Sequence, residues 1–372
     1  MRRILFGIIG VCTLGICLIL IFPSNKVSVH EKKVKKYDTT LSVPISQNKE
    51  YLGKLEDAYS NINFSGTAIL VKNNKIVDSY AIGESSGKEL NSLTTTFEID
   101  SLQKALTAGL VMKQVRIGKI NLSNKLSQYF PEIPGSQFIT LRMLIDMRSG
   151  LSMQRIAYKG QNLSKKELLR KIKKNVRFEP LKAGTWSYQS VNYVLLSAIL
   201  EKVTGKTYEQ LFKKMYINKL HLKQTEMAYN TNVKTDQANG YLLVNKEGTL
   251  RRKLTNTNRA TVQSEFGTGQ IFMSVGDYYK TLSALINGKL LGKEVTDMLY
   301  SSRIYPIGKN YHGGLYVVGN CWLANGYGYG FEDHVRISSN GKDALVVFSN
   351  HQYKKHKDLI RATDKLAKEL LG

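Results

Sequence analysis

Residues 97–104 read Phe97-Glu98-Ile99-Asp100-Ser101-Leu102-Gln103-Lys104 and open a segment whose apolar side chains have helical spacing. Ser101 and Lys104 are three residues apart, so they share one face of a helix. A serine in the first turn also lies among unpaired N–H groups, at the positive end of the helix dipole. A neutral lysine amine at this spacing could take the proton of the serine hydroxyl. The pattern therefore predicts a nucleophilic serine with a lysine as its base.

An ordered series of motifs follows this stretch. In chain order they are Gly118–Leu122, Tyr129–Pro131, Ile139–Leu144, Arg148–Leu151 and Gly184–Tyr193, the last of which contains Tyr188-Gln189-Ser190. Over roughly residues 60–350 the series resembles the serine β-lactamase-like, penicillin-recognising hydrolases, especially their class C and carboxypeptidase branch. The resemblance implies an α/β (α+β) fold of the β-lactamase type, with a central antiparallel sheet flanked by helices and a mostly helical subdomain.

The same resemblance implies roles for individual residues. Ser101 would be the acylating nucleophile, and Lys104 would be its base partner. Tyr188 would be the tyrosine of the Tyr-x-Asn motif, which moves protons between these two residues and the leaving group. The third motif of the family falls on Ala324-Asn325-Gly326-Tyr327. The backbone N–H groups of Ser101 and Tyr327 would form the oxyanion hole, which contributes about 3–4 kcal/mol per donor.

Two positions depart from the family pattern. Ser190 stands where the Tyr-x-Asn motif has asparagine, and Ala324 stands where the third motif has a cation that helps to hold a substrate carboxylate. Loss of such a charge-assisted bond costs roughly 1.5–3 kcal/mol. We still expect Ser190, Asn325 and Gly326 to contact the substrate. A substrate without that carboxylate, an aminoacyl ester, fits these motifs better.

The pattern, which includes Gln103 inside the nucleophile motif, is most similar to the teichoic acid D-alanyl esterase branch of this family. It implies an extracytoplasmic serine esterase that removes D-alanine esters from lipoteichoic or wall teichoic acid through an acyl-serine intermediate. Two alternatives remain open. One is a D-Ala-D-Ala carboxypeptidase or weak β-lactamase of the same fold, which Ala324 disfavours. The other is a non-catalytic wall-polymer-binding protein, which the joint presence of Ser101, Lys104 and Tyr188 disfavours.

The charge of the chain indicates an anionic partner. Its 372 residues include 54 Lys and Arg against 29 Asp and Glu, a formal net charge of +25. Without residues 1–36, which hold seven basic residues and one acidic one, the balance is 47 against 28, or +19. For an exported protein this excess predicts teichoic acid rather than nucleic acid as the partner. The basic helix expected at Ser164–Asn175 is either a solvated face or a contact with the polymer.

The N-terminal segment predicts export. After two arginines, Ile4–Phe22 is an uncharged apolar run of 19 residues that ends at Pro23, long enough to span a bilayer. We favour an uncleaved anchor at residues 1–23 over a cleaved signal or a lipoprotein. The chain would then be a single-pass protein of the cell membrane with an extracellular catalytic domain. Residues 24–50 are polar and lysine-rich and predict a stem.

A single hydrolase domain is predicted at residues 51–372, with a helical insertion at about 115–265. The predicted strands are Ser65–Val71, Lys75–Ile82, Leu315–Val318, His334–Ile337 and Ala344–Phe348, and the predicted helices include Leu102–Gly118 and Lys354–Leu371. Strands at both ends of the domain imply a sheet assembled from distant segments.

Several side-chain types narrow the chemistry further. Four tyrosines, Tyr311, Tyr316, Tyr327 and Tyr329, are expected near the site, either as a groove for the polymer or as packing. Three cysteines, Cys12, Cys17 and Cys321, exclude a disulfide framework, and Cys321 is expected to be buried. The scattered histidines have no metal-ligand spacing. The sequence therefore predicts neither a metal nor a cofactor.

Overall fold

The computed structural model describes residues 41–46, 48–153, 163–230, 235–255, 262, 264–300, 309–353 and 357–371. The predicted anchor at residues 1–23 and most of the predicted stem lie outside these residues. Within the described part of the chain, no helix is both long and apolar enough to cross a bilayer.

A seven-stranded antiparallel sheet forms the centre of the domain. Its strands are β1 (Gly66–Lys72), β2 (Lys75–Ile82), β3 (Tyr311–His312), β4 (Leu315–Val318), β5 (Cys321–Gly328), β6 (Phe331–Ser338) and β7 (Ala344–Ser349). Their order across the sheet is β3-β4-β5-β6-β7-β1-β2. The pairing of Ala68 in β1 with Val347 in β7 joins the two ends of the domain. The prediction of a sheet built from distant segments is therefore confirmed.

Helices cover both faces of this sheet. They are α1 (Lys54–Tyr59), α2 (Gln103–Arg116), α3 (Leu141–Ile145), α4 (Lys165–Asn175), α5 (Val191–Thr204), α6 (Tyr208–Phe212), α7 (Val275–Ile286), α8 (Lys293–Tyr300) and α9 (Asp358–Leu371). Short 3-10 turns occur at Asp100–Leu102, Leu126–Gln128 and Pro180–Lys182, and a π-helical turn occurs at Lys213–Asn218. Helices α1 and α9 pack on one face through an apolar cluster that includes Tyr59, Val347 and Leu366. Helices α2 and α7 belong to the larger core on the other face.

Smaller strands connect the helical parts to the sheet. They are Glu84–Ser86, Glu89–Leu90, Phe97–Glu98, Leu151–Ser152, Arg177–Phe178, Thr225–Met227, Tyr241–Lys246, Thr249–Leu254, Ile271–Met273 and His351–Gln352. Five of these strands lie within residues 115–265, which were expected to be helical. The hairpin formed by Tyr241–Lys246 and Thr249–Leu254 turns at Glu247 and Gly248, both with positive φ. The insertion, predicted to be mostly helical, therefore contains short strands beside its helices.

The predicted basic helix is α4. Ser164 caps it, and the reciprocal hydrogen bonds between Ser164 and Glu167 form a capping box. The apolar spacing predicts that Leu168, Leu169 and Ile172 face inward. Leu168 and Ile172 are buried, and Leu169 is half-buried.

The folded domain begins earlier than the predicted boundary at residue 51. Val43 is buried in the main core. The backbone of residues 44–46 pairs with β2, because Ile76 N–H donates to Pro44 O at 2.9 Å and Ser46 N–H donates to Ile76 O at 2.8 Å. The last residues of the predicted stem are therefore part of the fold. Cys321, expected to be buried, is half-buried at the start of β5.

Candidate active site

The Ser101 hydroxyl and the Lys104 amine are in direct contact. Ser101 lies in the 3-10 turn Asp100–Leu102, which leads into α2, and Lys104 lies in the first turn of α2. Lys104 Nζ donates a hydrogen bond to Ser101 Oγ at 2.8 Å and lies 3.5 Å from the carbonyl oxygen of Thr268. Lys104 is only 1% exposed. Among the described residues, no carboxylate pairs with it. The amine is thus placed to exchange a proton with the serine.

The backbone before Ser101 is strained and closely surrounded. Asp100 has a φ of 43°, in the left-handed region that costs a non-glycine residue about 1–3 kcal/mol. Glycines surround it, because a Cβ at Gly326 would lie 2.8 Å from Ile99 O and a Cβ at Gly269 would lie 3.2 Å from Asp100 Cα. A Cβ at Gly328 would overlap the Asp100 carboxylate. These glycines let β5 and the 264–270 loop approach the turn that carries the nucleophile.

Tyr188 lies beside Lys104 on a loop between Pro180–Lys182 and α5. Lys104 Nζ lies 5.1 Å from the centroid of the Tyr188 ring. Among the described residues, the phenol oxygen forms no hydrogen bond with Ser101 or Lys104. The loop is held by backbone hydrogen bonds, in which Gly184 N–H donates to Arg148 O and Ser187 N–H donates to Met147 O, both at 2.8 Å. The loop that carries the ring is therefore held by the backbone at Met147 and Arg148.

Ser101 and Tyr188 line a cavity of about 320 Å³. Its lining comprises Ser101, Tyr188, Tyr311, Gly314, Tyr316, Ala324, Asn325 and Tyr327. Burial raises the pKa of Tyr316 to about 12 and raises the pKa values of Tyr311 and Tyr327 further, so these side chains are neutral phenols. The cavity thus combines the nucleophile with a neutral aromatic wall, and the Lys104 amine contacts the nucleophile from outside the lining.

Most of the predicted site residues line this cavity, and four do not. Lys104 is not part of the lining, but it contacts Ser101, which is. Ser190 is exposed at the N-terminal end of α5, where its side chain makes no capping hydrogen bond. Gly326 faces Ile99 and Asp100, so it supports the nucleophile turn instead. The Tyr329 hydroxyl donates to Glu265 at 3.0 Å. The predicted substrate contacts of Ser190 and Gly326 stay predictions.

Asn325 lines the cavity, but its carboxamide oxygen is already engaged. Asn325 Oδ1 lies 2.7 Å from His334 Nδ1 and accepts from Arg336 Nη1 at 3.0 Å. His334 and Arg336 are on the neighbouring strand β6, and His334 is the direct cross-strand partner of Asn325. This arrangement fixes the side chain of Asn325 on the sheet.

Two supporting residues were not predicted as part of the site. Gln103 is fully buried; its side chain accepts from Gln270 N–H at 2.6 Å and donates to the Tyr208 hydroxyl at 3.1 Å. It therefore fixes the loop that presents Thr268 O to Lys104. Arg148 donates to Gly184 O at 2.7 Å and so fixes the start of the Tyr188 loop. Gln103 stands inside the nucleophile motif, but its role depends on a loop that is distant in the sequence.

Carboxyl groups are buried behind the nucleophile turn. Burial raises the pKa values of Glu98 and Asp333 well above their ordinary range, and the nearby charge of Asp100 raises both further. Burial at these two positions therefore favours the neutral, protonated form of each carboxyl group.

Comparison with known families agrees with the fold and with the motifs. Residues 55–368 match the family model described as Beta-lactamase. The chain therefore belongs to the β-lactamase family of serine hydrolases.

Several individual proteins of known sequence or structure are similar to this chain. The chain is 30% identical to the "Putative penicillin-binding protein PbpX" of Bacillus subtilis (strain 168), over 88% of this chain and 80% of that protein. It is 27% identical to the "Teichoic acid D-alanine hydrolase" of Staphylococcus aureus (strain MRSA252), over 71% of this chain and 65% of that protein. Among solved structures, FmtA from Staphylococcus aureus is similar in fold, with a TM-score of 0.73, 22% identity and coverage of 88% of this chain and 90% of that one. A D-amino acid amidase from Ochrobactrum anthropi SV3 has a TM-score of 0.71 at 20% identity, covering 86% and 97% of the two chains.

Proposed function

We propose that this chain is an extracytoplasmic serine esterase that removes D-alanine esters from teichoic acid through an acyl-Ser101 intermediate. One observation carries the proposal. Ser101 Oγ, which lies 2.8 Å from Lys104 Nζ, faces a cavity that Ala324 also lines, and Ala324 occupies the position where the family has a cation. Acyl-transfer groups are thus present, whereas the cation that recognises a carboxylate is replaced by a methyl group.

The proposed reaction has two steps. Ser101 Oγ attacks the ester carbonyl carbon while its proton passes to the Lys104 amine. The N–H groups of Ser101 and Tyr327 stabilise the oxyanion. The tetrahedral intermediate then expels the polymer alkoxide, which is protonated through Tyr188 or Lys104. A water molecule then attacks the alanyl-Ser101 ester. The proton of this water passes to Lys104 or Tyr188 and from there to Ser101 Oγ, which leaves as the hydroxyl. The products are free D-alanine and the original serine hydroxyl.

The substrate assignment is supported by charge and by similarity. An alanyl ester on a phosphate polymer has no carboxylate that a cation at residue 324 could bind. Alanine at this position therefore does not weaken the binding of such a substrate. The polymer itself is polyanionic, and a chain with a formal charge of +25 attracts it. A relative that is 27% identical is named a teichoic acid D-alanine hydrolase. The apolar run at residues 4–22 supports a membrane anchor with the domain outside the cell, where nucleic acid is not a partner.

A D-Ala-D-Ala carboxypeptidase or weak β-lactamase is the main competing function. The similarity to a protein named putative penicillin-binding protein favours it. Ala324 argues against it, since the substrates of both activities carry a carboxylate. This alternative predicts turnover of a muropeptide or of a chromogenic cephalosporin. A non-catalytic polymer binder, by contrast, predicts salt-sensitive teichoic acid binding that is unchanged in Ser101→Ala and no hydrolysis.

The direct test is incubation of the full chain with D-alanylated lipoteichoic acid and, separately, with D-alanylated wall teichoic acid. Free D-alanine is measured for the wild type and for Ser101→Ala. Release that depends on Ser101 supports the esterase. Equal release by both proteins, or release by neither, rejects it. Comparison of the two polymers identifies the preferred substrate.

A further inference from the structure

A buried histidine and glutamate lie directly across the sheet from the third motif. Cross-strand pairing sets His334 opposite Asn325 and Glu332 opposite Tyr327. Paired residues on adjacent strands point to the same face of a sheet. His334 is fully buried and Glu332 is 4% exposed. The rings of Tyr327 and His334 are 5.5 Å apart in an edge-to-face contact. Asn325 and Tyr327, two of the cavity-lining residues of β5, thus lie directly opposite this pair of side chains.

The hydrogen bonds of this pair determine where one proton must be. Arginine can only donate, so the 3.0 Å bond from Arg336 Nη1 identifies Asn325 Oδ1 as an acceptor. His334 Nδ1, 2.7 Å from the same oxygen, must therefore carry a hydrogen and donate it. His334 Nε2 then faces Glu332 Oε1 at 3.0 Å. That contact is a hydrogen bond only when a proton lies between the two atoms. Without this proton, two acceptors would face each other in a buried site, which is unfavourable.

The surroundings favour a proton on the carboxyl group. Burial, together with the charge of Asp358, raises the pKa of Glu332 to about 7, although the backbone N–H of Tyr353 opposes the shift. Burial and the charge of Arg336 lower the pKa of His334 well below its ordinary value. A neutral imidazole that accepts from a protonated Glu332 satisfies both groups.

Other ionisable groups reach this pair from each packed element. They are Tyr327 on β5, Asp333 and Arg336 on β6, Tyr353 after His351–Gln352, and Asp358 and Asp364 on α9, with Arg336 paired to Asp364 at 2.7 Å and Arg361 lying 4.0 Å from Asp358. Strand β7 contributes no titratable side chain. Burial raises the pKa of Tyr327, which keeps this side chain a neutral phenol near neutral pH, and burial also raises the pKa of Asp333 well above its ordinary range.

We propose that Glu332 and His334 are positioning residues, and that the single proton between them holds Asn325 and Tyr327 in the geometry that ester hydrolysis requires. When the proton is lost, the Glu332–His334 contact opens, and the strand segment that carries the Tyr327 N–H loses its support. Activity therefore falls as the pH rises through neutrality. The inference rests on the proposed function only in that the site hydrolyses esters.

The test compares pH profiles of kcat/KM for the full-length wild type and Glu332→Gln. The glutamine amide donates to His334 Nε2 at every pH. Two substrates are used, a D-alanyl ester of glycerol phosphate and p-nitrophenyl acetate, with spontaneous hydrolysis subtracted. Between about pH 6 and about pH 8.5 we expect the wild type to lose about 10-fold in kcat/KM, less than the ~10²-fold cost of a 1 Å misplacement. The kcat/KM of Glu332→Gln should fall much less than that of the wild type over the same pH range. Glu332→Ala should be slow throughout, with no such decline.

The matched control is Glu369→Gln, an exposed glutamate on α9 that pairs with Lys54. It should reproduce the wild-type profile. Identical profiles for the wild type and Glu332→Gln would overturn the proposal. Because a variant can fail to fold, ¹⁵N spectra of the wild-type His334 ring give a second measurement. The proposal is supported if the Nε2 signal changes with pH and the midpoint of that change equals the midpoint of the decline in kcat/KM. A signal that does not change with pH overturns it. Turnover of p-nitrophenyl acetate without D-alanine release would reject the D-alanyl esterase and leave the positioning inference standing.

Discussion

Gly326→Ala should impair catalysis by displacing the nucleophile turn. The new Cβ would lie 2.8 Å from Ile99 O and 3.2 Å from Asp100 Cβ, whereas ordinary contacts begin near 3.4 Å. The backbone before Ser101 must therefore retreat by about 0.6 Å, and buried packing on both sides resists larger adjustments. A misplacement of 1 Å costs roughly 10²-fold in rate. We therefore expect kcat to fall by about 10-fold, with a smaller effect on KM.

The assay is the initial rate of D-alanine release from D-alanylated lipoteichoic acid at several polymer concentrations. Gly276→Ala is the matched control, because a Cβ there meets no atom closer than Ser274 Oγ at 4.0 Å. Thermal unfolding of both variants separates lost activity from lost fold. A Gly326→Ala enzyme with a kcat within about twofold of the wild type would refute the argument that this close approach positions Ser101.

Three further outcomes are expected. Lys104→Ala and Tyr188→Phe should each lose at least about 10²-fold in D-alanine release, the scale of general acid–base catalysis; near-normal rates would contradict their roles. Ala324→Lys should increase acylation by a carboxylate-bearing β-lactam about 10-fold or more, in line with the roughly 1.5–3 kcal/mol of a charge-assisted bond; no increase in the acylation rate would contradict the role given to this position. Glu332→Gln should be more stable than the wild type above neutral pH. Folded Glu332 keeps a proton up to a pKa of about 7 that the unfolded chain releases near 4.5, so wild-type stability falls across that window by up to about 3 kcal/mol. Urea unfolding at about pH 5 and about pH 8 measures this difference. If the unfolding free energy changed equally between these two pH values in the wild type and in Glu332→Gln, the prediction would be contradicted.

The sequence predicted the elements whose signals are local. The hairpin of β1 and β2, the helix that carries Lys104 and the closing helix α9 follow from periodicity and turn residues. The Ser101–Lys104 contact follows from helical spacing, and the ordered motifs identified the family.

Features that depend on distant contacts could not be predicted in this way. Val43 was placed in a polar stem because its burial depends on the edge of β2, which its neighbours in sequence do not reveal. The left-handed backbone of Asp100 depends on glycines more than 160 residues away, at Gly269, Gly326 and Gly328. Ser190 was assigned to the site by analogy with a motif position, but the start of α5 leaves it exposed and outside the cavity lining.

The central claim is that Ser101 forms an acyl bond with the substrate, and trapping that bond tests it most directly. The full chain is mixed with a D-alanyl ester, quenched in acid within the first turnover, digested and analysed by mass spectrometry. We expect the peptide that contains Ser101 to gain the mass of one alanyl group, in the wild type and not in Ser101→Ala. Release of D-alanine without such an adduct, or an adduct on another residue, would contradict the mechanism.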